Sequence, residues 1–187
     1  LTPGQGLRQM LGRGLARLLF RATFIPLTVN GREHIDRDRP LVIVANHASY
    51  LDGFVVTAAL DIPVHFIVKG ELSRVPVVRQ ILHRFGVEFV DRFNAQRGAS
   101  SVRRIARKSR RGQSLVFFPE GTFISFAGLQ PFRMGAFVTA ARSATPVLPL
   151  AIAGARNIVR GSHWFPRRGR IEVTIRPPVE PEGSSWQ

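Results

Sequence analysis

Apolar, strand-like runs alternate with helix-like segments along most of this chain, and that alternation restricts the fold more than any other feature. The strand candidates are Leu27–Asn30, Leu41–Ala45, Val64–Val68, Val87–Asp91, Ser114–Phe118, Val147–Ala153 and Ile171–Arg176. Helix candidates Leu51–Leu60, Val75–Phe85, Ala99–Arg111 and Gly135–Ser143 separate many of them. Strands joined through helices pair largely in parallel, with helices covering the sheet. The expectation is an α/β fold, a single-domain sandwich with a largely parallel central sheet flanked by helices. With 187 residues, 44% of them hydrophobic, the chain can bury one core of its own.

Residues 7–27, "LRQMLGRGLARLLFRATFIPL", mix apolar residues with arginines. Leu7, Met10, Leu11, Leu15, Leu18 and Leu19 recur at spacings of three and four, which predicts an amphipathic N-terminal helix over residues 1–25, ending near Pro26. Such a helix either lies in a membrane interface with its arginines near lipid phosphates, or packs on the domain as an ordinary helix. No apolar run reaches the ~18–20 residues that a spanning helix needs. No signal peptide is evident. The chain starts at Leu1 rather than Met, which fits a domain cut from something longer. Residues 26–180 form the expected domain, and 181–187 a loop tail.

Composition removes several chemistries. There is no cysteine, so disulfides, thiolate metal sites and a cysteine nucleophile are excluded. The histidines His34, His47, His65, His83 and His163 are scattered without metal-ligand spacing, so no metal site is expected. The formal net charge of +15 comes almost entirely from arginine, the only lysines being Lys69 and Lys108. That balance suits an anionic partner: a membrane surface, a phosphorylated substrate, an acidic protein or nucleic acid. The cationic segment "ASSVRRIARKSRRG" carries no aromatic platform for bases, which speaks against nucleic acid.

The chemistry concentrates where the strand Leu41–Ala45 stops, in "NHASYLD". His47 and Asp52 are five residues apart, and on one regular helix they would lie ~140° apart. They meet if His47 sits in the loop before a helix and Asp52 in its first turn. Asp52 would then hold one ring nitrogen while the other takes a proton from an alcohol. The competing reading is a helix start, because Ser49 and Asp52 also match an S-x-x-D cap. Two more strands end in polar residues: "GVEFVDR" delivers Arg92, and "LVFFPEGTF" delivers Glu120, Gly121 and Thr122. In an open α/β sheet ligands bind beyond the carboxyl ends of strands. Arg92 suits a phosphate, and Gly121 allows close backbone approach.

Taken in order, these blocks make the sequence resemble the glycerolipid acyltransferase family, whose bacterial type is the PlsC-like lysophosphatidic acid acyltransferase. "NHASYLD", "GVEFVDR", "FPEGT" and "TPVLPLAIAG" match its four blocks, and "KGELSRVP" and "LQPFRMGAF" fit between them. The resemblance implies that His47 is the general base and Asp52 its orienting partner. It places Arg92, Glu120, Gly121 and Thr122 on the acceptor, with Lys69, Asn46 and Ser49 as further substrate-binding positions. It links Pro146 and Pro149 to the acyl donor. The implied reaction moves an acyl group from acyl-CoA or acyl carrier protein, as co-substrate, to a lysophospholipid hydroxyl, with no cofactor and no acyl-enzyme. The implied setting is the cytoplasmic face of the cell membrane, peripheral or anchored by the N-terminal helix, alone or with an adjoining domain of a longer chain. Phe123 stands where the third block often has arginine, and Arg133 could replace that cation. 1-Acylglycerol-3-phosphate is the favoured acceptor; glycerol-3-phosphate or another lysolipid is the alternative. Two other classes remain: a non-catalytic basic lipid- or nucleic-acid-binding module, and a hydrolase using Ser49. The hydrolase lacks a G-x-S-x-G elbow.

Overall fold

The computed structural model describes residues 3–70, 80, 87–90, 95–121, 128–159 and 167–182. The elements run α1 (Pro3–Ala22), β1 (Leu27–Asn30), a 3₁₀ turn (Arg32–His34), β2 (Val42–Ala45), α2 (Asp52–Ala59), β3 (Val64–Lys69) and β4 (Glu88–Val90). They continue with α3 (Ala95–Arg110), β5 (Ser114–Phe117), α4 (Gly135–Ser143), β6 (Val147–Ala153), α5 (Ala155–Ile158) and β7 (Ile171–Ile175). The expected helix Val75–Phe85 lies outside the described residues.

Seven strands form one sheet in the order β1-β7-β6-β2-β5-β3-β4. Neighbours are parallel except β6 and β7, which are antiparallel, so β1 and β7 run against the other five. The α/β sandwich expected from the sequence is therefore present. The reversed pair is an addition, because local patterning carries no strand direction.

The continuous apolar runs follow from burial on both faces of the sheet. In β2, Ile43 and Ala45 join the larger core under α1 and α2. Val42 and Val44 turn the other way, with Ile105 of α3 and Ala136 and Ala140 of α4. β5 divides alike, Val116 to one side and Leu115 and Phe117 to the other. Successive strand residues point to opposite faces, so both sets had to be apolar. The consequence for function is positional. β2, β3, β5 and β6 are parallel, and the segments after Ala45, Phe117 and Ala153 emerge at one edge.

α1 forms within the expected N-terminal span. Ala16 and Phe20 are its buried apolar residues, whereas Leu7, Met10, Leu11, Leu15, Leu18 and Leu19 are all exposed. Polar pins fix this orientation. Gln9 Nε2 donates to the Val64 carbonyl at 2.9 Å, Arg13 Nη1 to that of Asp61 at 2.8 Å and Arg17 Nε to that of Ala58 at 3.0 Å. The arginines interrupt the helix often enough that no helix among the described residues is long and apolar enough to cross a membrane.

Candidate active site

β2 ends at Ala45, and the next residue prolongs the sheet with its side chain. Asn46 Nδ2 donates to the Ile152 carbonyl at 3.0 Å, and Ile152 N–H donates to Asn46 Oδ1 at 2.7 Å. The amide thus replaces one further rung between β2 and β6, and ties the start of the loop down before it turns.

The loop then brings His47 back onto Asp52. Asp52 is fully buried as the first residue of α2, and its Oδ2 lies 2.9 Å from His47 Nδ1. A carboxylate only accepts, so Nδ1–H is the donor, and the tautomer leaves Nε2 on the side away from Asp52. The same Oδ2 accepts the amides of Ala48 at 2.6 Å and Ser49 at 2.8 Å. The same oxygen thus ties down the Ala48–Ser49 turn that leads into α2 and holds the imidazole, while the N-cap position, Leu51, makes no side-chain cap bond.

Ser49 is buried. Its Oγ donates to the Val159 carbonyl at 3.2 Å and accepts from Leu51 N–H at 3.2 Å. Glu120 is buried too, and both its oxygens take main-chain amides: Oε1 that of His47 at 2.7 Å, Oε2 that of Gln130 at 2.9 Å. Gly121 has φ +80° and donates its amide to the Phe118 carbonyl at 3.0 Å, a tight turn that suits glycine. The Phe118 ring stacks on the His47 ring, with centroids 4.4 Å apart and planes 24° apart. Phe66 of β3 stacks behind Phe118 at 6.5 Å.

His47 and Phe118 line one end of a cavity of about 560 Å³ between α1, α2 and β3. Its lining is mostly apolar and includes Leu15, Ala16, Leu19, Phe54, Ile62 and Val87. Val64, Phe66 and Val68 also line it. These alternate residues share one face of β3, so the cavity follows the strand for about 13 Å. The strand runs from Val64 towards the site edge, which puts Val64 and Ile62 at the end away from His47.

The structure brings together His47, Asp52, Asn46, Ser49, Glu120 and Gly121 from the sequence-derived set. Arg92 and Thr122 lie outside the described residues, as does Phe123. Lys69 ends β3, paired with Val90 of β4. Pro149 sits within β6 opposite Val44, and Pro146 accepts the Val42 amide at the start of β2, the sheet edge away from His47. Neither proline is brought to the histidine. Sequence reasoning did not single out Phe118, Phe66 or Gln130. Phe118 stood inside a quoted block, but only the packing of β5 beside β2 gives its ring a partner.

A family model described as Acyltransferase matches residues 26–153. A chloroplastic 1-acyl-sn-glycerol-3-phosphate acyltransferase of Brassica napus is 31% identical over 158 residues, which are 83% of this chain and 46% of that protein. The 1-acyl-sn-glycerol-3-phosphate acyltransferase of Neisseria meningitidis serogroup B is 34% identical over 143 residues, 76% of this chain and 53% of that one. The crystal structure of PlsC, the 1-acyl-sn-glycerophosphate acyltransferase of Thermotoga maritima, is similar with a TM-score of 0.81 at 27% identity, covering 95% of this chain and 71% of that chain. The chain spans about half the length of the curated relatives it matches. The family model takes in well over half of the chain, and its span contains the His47–Asp52 pair and Glu120: the chain belongs to the acyltransferase family.

Proposed function

We propose that this chain transfers a fatty acyl group from an acyl thioester to the hydroxyl of a lysophospholipid, with 1-acylglycerol-3-phosphate as the first choice. The observation that carries the reading is the His47–Asp52 pair at one end of an apolar cavity. An alcohol held at Nε2 gives its proton to His47 as its oxygen attacks the thioester carbonyl. A C–O bond forms, the C–S bond breaks, and the departing thiolate takes the proton back from His47. Asp52, buried beneath the ring, stabilises the imidazolium in between. Direct transfer is favoured by what surrounds it. The chain has no cysteine, and the Ser49 hydroxyl is committed to the Val159 carbonyl.

The cavity supports an acyl-chain site. Its ~13 Å along β3 suits about ten methylene groups of an extended chain built from ~1.5 Å bonds. The choice of acceptor rests on the relatives, which are named for 1-acyl-sn-glycerol-3-phosphate. Acyl-CoA and acyl carrier protein are the two candidate donors.

α1 supports work at a lipid surface. Its exposed leucines sit among Arg8, Arg17 and Arg21, a pattern suited to the anionic cytoplasmic face of the cell membrane. On this reading the protein works there as a peripheral enzyme. The test is product identity. Labelled acyl-CoA and acyl carrier protein are each offered with lysophosphatidic acid, glycerol-3-phosphate and other lysolipids in turn. Labelled phosphatidic acid is expected as the main product. Acylation of a different acceptor would reassign the substrate, and free fatty acid alone would replace transfer by hydrolysis.

A further inference from the structure

We infer that the corner after β5, Phe118 to Glu120, is the frame that holds His47 in its working position, Phe118 against the ring and Glu120 against the backbone. The inference rests on His47 being the base and concerns what keeps it there.

The imidazole is held from three directions. Asp52 fixes the direction of Nδ1 at 2.9 Å. Phe118 fixes the plane of the ring, stacking on it at 4.4 Å. Glu120 fixes the main chain, because its Oε1 accepts the His47 amide at 2.7 Å. The other oxygen of Glu120 reaches the Gln130 amide at 2.9 Å, and Arg133 N–H donates to the Pro119 carbonyl at 2.9 Å. One buried carboxylate therefore joins the β2 loop, the β5 corner and the segment around Gln130. Its charge-assisted bonds run to backbone rather than outward to a ligand. That makes Glu120 a positioning residue and not a contact of the acceptor.

The frame also acts on charge. His47 becomes an imidazolium when it takes the alcohol's proton. The face of Phe118 attracts a cation, and the carboxylate of Glu120 lies within one residue's reach. Asp52 on α2 holds the ring, and Tyr50 of the same loop and Arg13 of α1 line the same cavity as His47. Removing Phe118 or the charge of Glu120 leaves the imidazolium less favoured. Phe118 lines the cavity with Phe66 stacked behind it, so an acyl chain in the cavity would press on the ring that steadies the base.

The test compares Phe118→Leu, Phe118→Tyr, Glu120→Gln and Glu120→Asp with wild type, beside His47→Ala. It reads kcat, the acceptor's KM and thermal melting. Glu120→Gln sets an amide N–H₂ against one main-chain N–H, donor facing donor. Phe118→Leu and Glu120→Gln are expected to lose about 10–100-fold in kcat, less than the roughly 10²–10⁴-fold of losing the base outright. The acceptor's KM should stay within about two-fold, since the loss lies in the transition state. Phe118→Tyr should restore activity, since it keeps the aromatic face. A raised acceptor KM with wild-type kcat would overturn the frame and return Glu120 to the acceptor. Wild-type kcat in the variants beside an inactive His47→Ala would overturn the frame but keep the base. Turnover by His47→Ala would remove the base itself. If Glu120→Gln does not fold, Phe118→Leu and Glu120→Asp decide the matter by the same readouts.

Discussion

Oδ2 of Asp52 accepts three hydrogen bonds, from the His47 ring and the amides of Ala48 and Ser49. The proposed catalytic role and the structural role therefore meet in one atom, and substitutions should separate them. Asp52→Asn retains a carbonyl oxygen for the amides but no charge for the imidazolium, and should lower turnover by roughly 10²–10⁴-fold. Asp52→Ala should also lower stability by about 1–3 kcal/mol, because buried amides lose their acceptor. Steady-state kinetics and denaturant unfolding of the two variants check this. Equal stability losses with unchanged turnover would leave Asp52 as a cap alone. The pair was legible in the sequence because all its chemistry lies within six residues. The Glu120 contact was not: it joins residues 73 apart in the chain, and needs β5 to lie beside β2.

At the scale of elements, β4 and α3 are joined by an ion trio in which Glu88 meets Arg104 and Lys108. Burial pushes the Glu88 carboxyl up, but the hydrogen bonds and charges of Lys108 and Arg104 outweigh it, and the group stands below its ordinary value. A carboxyl lowered in the folded state stabilises fully above its unfolded value, and that contribution is lost as pH falls through the folded value. Glu88→Gln should therefore cost about 1 kcal/mol near neutral pH, solvent screening of the partly exposed partners keeping the figure small. Its unfolding curve should converge with wild type as pH drops below the carboxylate range. A pH-independent difference would assign the loss to packing. The cavity makes a second demand on an element. Val64→Phe fills the end away from His47, and should shift preference to shorter acyl donors with little change in the acceptor's KM. An unchanged chain-length profile would place the acyl chain elsewhere. Strand positions were legible because both faces are apolar. The antiparallel β6–β7 pair was not, since direction depends on the connection rather than on the strand's own residues.

For the whole molecule, the charge of +15 and the exposed leucines of α1 support the proposed lipid-facing surface. The periodic leucines suggested an amphipathic helix, but periodicity does not say which apolar residues face the core. Here the pins of Gln9, Arg13 and Arg17 turn Ala16 and Phe20 inward and leave the leucines outside. Replacing both Leu11 and Leu18 by Glu should weaken binding to anionic vesicles by at least about 100-fold, given roughly 1.5–3 kcal/mol per buried leucine. Melting temperature should barely move, because neither side chain packs on the domain. Added salt should weaken binding of the wild type as well. Undiminished vesicle binding by the double variant would assign the surface to another partner.

The central claim is that His47 takes the proton of an acceptor hydroxyl while an acyl thioester is attacked. Thiol release from an acyl thioester, followed with and without lysophosphatidic acid, tests it most directly when wild type and folded His47→Ala are compared. The expected result is release that depends on the acceptor in wild type and falls by roughly 10²–10⁴-fold in the variant. Acceptor-dependent release at a similar rate in both proteins would contradict the account.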